Sequence, residues 1–322
     1  MCSPLPPNTD QVLVSVNPIA GRRSMDREVG RFCELVRPSG LDAVVLTDLQ
    51  EVCARAASLH QQRRLRALIG VGGDGTAAEL ANRTPPGVPI TLLAAGTANI
   101  LAKHFGLATN AAQLHRIVTA GEVLRLDAGS ASGRVFLLMV GCGLDADVVD
   151  RVHRARASRG GGHISYWSYV KPILQSLRSY QYPEFRVYCE PPGEGSAGHP
   201  AEPLAARWAF ACNLPRYGWG VSLAPGADQT DGLLDLYTFQ GRSFWHGLRY
   251  AAAAQLGVHR RLADCAWCRV RRLRIESDQP VPYQLDGDPG GWLPLDVEVL
   301  PGRVSLIVPP GQPRKRNPFG AC

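Results

Sequence analysis

The sequence predicts an α/β fold in two parts, an N-terminal parallel-sheet domain and a mainly antiparallel β-sandwich domain. Two observations predict it. Through Phe105, short apolar runs alternate with segments of helical spacing over short connections, the rhythm of a parallel sheet covered by helices. From about Leu124 the pattern changes to short β-like runs broken by Gly or Pro, as antiparallel sandwiches require.

Val12–Val16 is the first strand, ending in Asn17-Pro18 with Gly21 close behind. Residues 25–37 have helical spacing that puts Val29, Phe32, Cys33 and Val36 on one stripe. Ala43–Leu46 reads as a strand and Val52–Leu59 as part of a helix. Ala67–Val71 is a buried strand, Thr76–Asn82 opens a helix, and Pro89–Leu93 is a fourth strand before a helix to Phe105. In the second part, strands are expected at Leu124–Ala128, Val135–Val140, Phe185–Cys189, Ala206–Ala211, Leu233–Thr238, Val270–Ile275, Leu295–Val299 and Val304–Val308. Helices are expected at Tyr166–Ser179 and Phe244–Leu256, with residues 191–203 as a loop. The domains then span 1–127 and 128–305, with 306–322 packing back on the first.

Composition narrows the partners. A net charge of +7 and an isoelectric point near 9.1 favour anionic ligands such as nucleotides and acidic headgroups. No nucleic-acid-binding module accompanies that charge. Nine scattered cysteines argue against a disulfide framework. The one CxxC pair, Cys265 and Cys268, lacks a second pair, so reduced thiols are expected. The N-terminus has no signal-peptide pattern and no apolar run reaches bilayer length, which leads us to expect a cytoplasmic protein.

Chemistry concentrates where strands meet helices. Gly72-Gly73-Asp74-Gly75-Thr76 follows a buried strand and opens a helix. Glycines let phosphate approach the amides, and the helix start supplies N–H donors and partial positive charge. Asp74 repels phosphate, so its expected task is to orient magnesium, directly or through water. Asn17-Pro18-Ile19-Ala20-Gly21 and Gly96-Thr97-Ala98-Asn99 repeat the strand-then-loop arrangement. All three loops leave strand carboxyl ends, where such sheets bind ligands. GxxxxGK[ST] is missing, and the first loop, Asn17–Gly21, lacks the GxGxxG spacing of a dinucleotide-binding site.

These three loops, in this order and spacing, resemble the diacylglycerol kinase catalytic domain, whose superfamily includes sphingosine and ceramide kinases and bacterial lipid kinases. The resemblance continues through Gly141-Cys142-Gly143-Leu144-Asp145-Ala146, Asp231-Gly232-Leu233-Leu234-Asp235 and Asp286-Gly287-Asp288. It implies an NAD kinase/diacylglycerol kinase-like nucleotide domain, a β-sandwich, and ATP in a cleft between them. It also implies that Asn17–Gly21 and Gly73–Glu79, with Ala77 and Ala78 among them, line the ATP phosphates and ribose, and that Thr47 and Thr97 add contacts. Asp228, Asp231 and Leu233 would form a magnesium loop, with Asp231 giving a side-chain oxygen and the others backbone oxygens or waters. Asp288 stands where the family has a glutamate general base. Aspartate is shorter by roughly 1.5 Å, so closer approach, an intervening water, or Asp286 as base would be needed. Asp-Gly is also a strong turn signal in its own right.

The implied reaction is Mg2+-assisted transfer of the γ-phosphate of ATP to a lipid hydroxyl at a membrane surface, by a protein peripherally attached during turnover. Arg151–Tyr182, basic and then aromatic around Gly160–Gly162, is a candidate lipid-facing stretch. The alternatives are an NAD kinase-like enzyme, against which the missing TGSTAY-like segment counts, and a regulator that kept the scaffold without turnover. The lipid and the oligomeric state stay open, a homodimer included.

Overall fold

The computed structural model describes residues 2–16, 24–158, 170–190 and 202–311. They form two compact units: one runs to Leu126 and resumes at Gly302, and the other spans Asp127–Pro301. In chain order the first part holds β1 (Cys2–Pro4), β2 (Gln11–Val16), α1 (Ser24–Val36), β3 (Asp42–Leu46), α2 (Leu49–Gln61), β4 (Leu65–Gly72), α3 (Asp74–Arg83), β5 (Pro89–Ala94), α4 (Ile100–Phe105), α5 (Ala111–Ala120) and β6 (Glu122–Ala131). The rest holds β7 (Arg134–Phe136), β8 (Met139–Cys142), α6 (Leu144–Ala157), α7 (Val170–Ser179), β9 (Phe185–Glu190), β10 (Leu204–Ala206), β11 (Trp208–Cys212), β12 (Leu234–Phe239), α8 (Phe244–Gln255), β13 (Cys265–Val270), β14 (Arg272–Glu276), β15 (Pro282–Leu285), β16 (Asp288–Trp292) and β17 (Leu295–Val308).

In the first unit, β5, β4, β2 and β3 lie side by side and parallel, with Val12 opposite Ala67 and Gly70 opposite Leu92. The end of β17 adds a parallel neighbour to β5. Alternate residues of the same strands feed two cores, which explains why these strands read as unbroken apolar runs. Val12, Val14 and Ile69 pack with Phe32 and Val36 of α1 and Leu114 of α5. Leu13 and Leu68 pack with Val52 and Ala56 of α2 and Leu80 of α3.

The second unit is a sandwich. One layer is antiparallel in the order β13-β12-β11-β8-β15-β16. The other joins β10, β9, β14 and the first half of β17, also antiparallel. Phe185, Val187, Leu273, Ile275 and Val297 from one layer meet Val140, Ala209, Leu236 and Leu285 from the other in a single buried core.

Two differences from the sequence reading have local causes. The stretch expected as two strands, 295–299 and 304–308, is the continuous β17, because Gly302 at φ 60° takes up Pro301 without ending the pairing. The basic run from Arg151 belongs to α6, where Arg151 and Arg154 pair with Asp147 and Asp150 one turn earlier. In the arginine-rich stretch 269–274, Arg272 pairs with Glu298 and Arg274 with Asp296 across the sheet. Cys265 and Cys268 sit on β13 as free thiols. An i, i+3 spacing on a strand turns them to opposite faces, and Cys268 packs on the sandwich core beside Cys189. Among the described residues, no helix is long and apolar enough to cross a membrane.

Candidate functional site

The glycine loop ends β4 and starts α3, and its structure is dictated by close approach. A Cβ on Gly72 would lie 2.0 Å from Thr76 Oγ1, and one on Gly96 only 2.7 Å from the Gly73 Cα. The loops after β4 and β5 therefore touch backbone to backbone. Ala95 donates its N–H to the Gly72 carbonyl at 2.9 Å. Asn99, left-handed at φ 49°, accepts from the Gly96 N–H at 2.9 Å and donates to the Gly96 carbonyl at 2.8 Å.

Asp74 fastens the two loops together. Its carboxylate accepts the N–H of Ile100 at 2.9 Å and of Leu101 at 2.8 Å, both in the first turn of α4. Burial pushes the Asp74 carboxyl above its ordinary range, while these amides pull the other way. Thr47 and Thr97 are exposed at the ends of β3 and β5. Glu79 pairs with Arg83 on the exposed side of α3, while Ala77 and Ala78 are buried beneath it. Asn17, Pro18, Ile19, Ala20 and Gly21 lie outside the described residues, as do 159–169 of the candidate lipid-facing stretch.

In the second unit, Asp286-Gly287 is the two-residue turn of the β15–β16 hairpin, both residues at positive φ (53° and 89°). This is the geometry that Asp-Gly favours. Asp286 is woven into the backbone: its carboxylate accepts from Leu137 (2.7 Å), Leu138 (2.8 Å) and Met139 (3.0 Å). Asp288, the first residue of β16, is half exposed between a guanidinium and an imidazole that the sequence did not flag. Arg134 Nη2 lies 3.3 Å from one carboxylate oxygen and His153 Nε2 lies 3.5 Å from the other.

The glycine-rich Gly141–Ala146 segment explains how His153 arrives there. Gly143, at φ 108°, caps α6 where a Cβ would meet the Arg207 carbonyl at 2.6 Å. Gly141 leaves room for Gln284, which donates to Asp145 at 3.1 Å and accepts from the Gly287 N–H at 2.7 Å. Tyr217 also donates to Asp145. Burial pushes the Asp145 carboxyl up, and these two donors oppose that shift. The motif thus anchors α6 to the hairpin. His153 follows Asp145 by eight residues, a spacing that marks one helix face and could have exposed it.

The Asp228–Leu233 loop precedes β12. Asp228 accepts from the Thr230 N–H at 3.0 Å, and Asp231 from the Leu233 N–H at 3.0 Å. Asp127, buried on β6, accepts the Gly232 N–H at 2.7 Å and was not foreseen. Burial, aided by the charges of Asp228 and Asp235, pushes Asp231 up to about 6. The loop and Asp288 adjoin strands four positions apart in one sheet, roughly 19 Å at ordinary strand spacing. A cation held in the loop would therefore stand away from Asp288. Among the described residues, no three His, Cys, Asp or Glu side chains form a metal cluster.

A parallel-sheet unit with laced glycine loops, followed by a two-layer sandwich, is the fold of a known class of kinases. The diacylglycerol kinase catalytic domain matches residues 11–131, and the YegS C-terminal NAD kinase beta sandwich-like domain matches residues 138–308. The chain belongs to this diacylglycerol kinase and YegS family of lipid kinases. It is 25% identical to a diacylglycerol kinase of Mycobacterium tuberculosis over 311 residues, covering 93% of this chain and 95% of that one. It is 28% identical to a Pseudomonas fluorescens protein named "Probable lipid kinase YegS-like" over 306 residues, covering 91% and 94%. A crystal structure of a diacylglycerol kinase from Bacillus anthracis str. Sterne superposes with a TM-score of 0.64 at 20% identity, over 94% of this chain and 97% of that one, which supports the fold.

Proposed function

We propose that this chain is an ATP-dependent lipid kinase that transfers the γ-phosphate of ATP to a hydroxyl of a lipid such as diacylglycerol or a sphingoid or ceramide-type lipid. The observation that carries the reading is the backbone-to-backbone contact of Gly73 and Gly96, locked by Asp74. It holds two strand ends and the start of α3 as a rigid cradle of amide donors for phosphate. Phosphoryl transfer rests on positioning and charge neutralisation more than on covalent help, and a preassembled cradle suits it.

Asp288 is the base in this reading. A lone pair of the lipid oxygen attacks the γ-phosphorus, the bond to the β,γ-bridging oxygen breaks, and the hydroxyl proton passes to Asp288. ADP and a phosphomonoester lipid result. Arg134 and His153 fix the direction of the Asp288 carboxylate. Asp286 is then a positioning residue, since its oxygens are engaged with three amides. Asp74 takes the same kind of role in the nucleotide unit.

Magnesium fits the Asp228–Leu233 loop by its donor chemistry: Asp231 offers hard oxygen, and its burial beside the charges of Asp228 and Asp235 disfavours a bare carboxylate in a way that a cation would relieve. There Asp231 would hold it with backbone oxygens or waters. When bound, the ion supplies local charge neutralisation.

Radiolabelled γ-phosphate ATP, magnesium and vesicles of diacylglycerol or ceramide test the proposal directly. Label should enter the organic phase. ATP binding without ADP formation on any lipid, or label on NAD, would overturn it.

A further inference from the structure

The outer face of α8 carries the two most exposed large apolar side chains of the described residues, Trp245 and Leu256. Trp245, Leu248 and Leu256 are 74%, 51% and 76% exposed, and with Ala252 they fall on one helical stripe. The opposite face is committed to the sandwich. Gly247 lies so near Trp208 that a Cβ would come within 2.5 Å of its ring, and Tyr250 stacks on Phe239 at 4.4 Å. The stripe therefore contributes little to the fold.

Its surroundings are basic. Between Asp235 and Asp264 the sequence has four arginines, two histidines and no carboxylate. Arg249 pairs with Asp264 and Arg260 with Asp235. Arg242, just before the helix, and Arg261, just beyond it, are exposed and enter no ion pair among the described residues. An apolar stripe holding a tryptophan, with an uncommitted cation at each end, has the chemistry of a helix lying in a headgroup layer.

We infer that the outer face of α8 is a docking surface for an anionic lipid bilayer, with Trp245, Leu248 and Leu256 entering the headgroup boundary and Arg242 and Arg261 on lipid phosphates. A second copy of the chain suits this face poorly. A two-fold contact would bring the same arginines together without carboxylates to receive them. The inference draws on the lipid-kinase reading for its purpose, but vesicle binding needs no nucleotide, so the two fail separately.

The test is co-sedimentation of the full chain with phosphatidylcholine vesicles containing one-third phosphatidylglycerol. The protein should pellet with them, less so at high salt and less with phosphatidylcholine alone. Trp245→Ser combined with Leu256→Ser should weaken partitioning about tenfold or more at unchanged melting temperature. The variant should still phosphorylate a short-chain diacylglycerol in solution. Equal pelleting of variant and parent overturns the inference. So does a lipid-free dimer that the variant converts to monomer, which would make the stripe a self-interface. Absence of phosphate transfer by the parent protein, with vesicle binding intact, would count against the kinase reading alone.

Discussion

Two aspartates of one turn have opposite environments. Asp286 is enclosed by amides, whereas Asp288 opens to solvent between Arg134 and His153. Asp288→Asn should therefore abolish turnover at saturating ATP while ATP affinity, measured by titration calorimetry, stays within about twofold. Asp288→Glu, which restores the missing methylene, should keep turnover within about tenfold. Asp286→Asn should instead act on stability. It removes acceptor capacity from three amides and should cost about 2 kcal/mol or more, a melting shift of several degrees. A normal melting temperature with lost turnover in that variant would return the base role to Asp286. The sequence located the pair but could not tell the two apart. Their difference arises from amides of residues 137–139, brought in by folding.

At the scale of elements, the strand-to-helix joints were legible because glycine spacing and apolar runs act locally. The lacing between joints was not, since Asp74 reaches amides 26 and 27 residues away. Gly72→Ala checks the joint itself. The new methyl would collide with Thr76, so a loss of about 2–3 kcal/mol and a matching fall in melting temperature are expected. The starts of β2 and β4 are joined by Asp10 and Arg64, at 3.1 and 2.6 Å. Those hydrogen bonds hold the Asp10 carboxyl down to about 2. A lowered folded-state value means the contribution is complete above the unfolded value near 4 and disappears as pH falls toward 2. Between pH 4 and 2, the melting temperature should fall more steeply in the parent than in Asp10→Asn, by a small margin befitting an exposed pair. α6 was missed for a different reason. Its outer face is charged and self-paired, so composition resembled a basic loop, and only the buried Leu144, Ala146, Val149 and Val152 reveal a helix.

For the whole molecule, the sequence carried the division into a parallel-sheet unit and a sandwich, because the apolar period changes between them. It did not show that the Asp228–Leu233 loop and Asp288 adjoin distant strands of one sheet, since strand order is a long-range property. That separation has a measurable outcome. Asp231→Ala should raise the magnesium concentration for half-maximal activity about tenfold or more, and leave the pH dependence of turnover assigned to Asp288 unmoved. A changed pH profile would mean that the loop cation acts on the base.

The clamp formed by Asp74 has a kinetic side. Since Gly73 already abuts Gly96 and both oxygens of Asp74 already hold amides, an arriving nucleotide has little left to order in these two loops. Association should then be governed by encounter and charge rather than by loop closure. In stopped-flow binding the observed rate would rise linearly with ATP concentration without reaching a plateau, and removing the clamp with Asp74→Ala would introduce one.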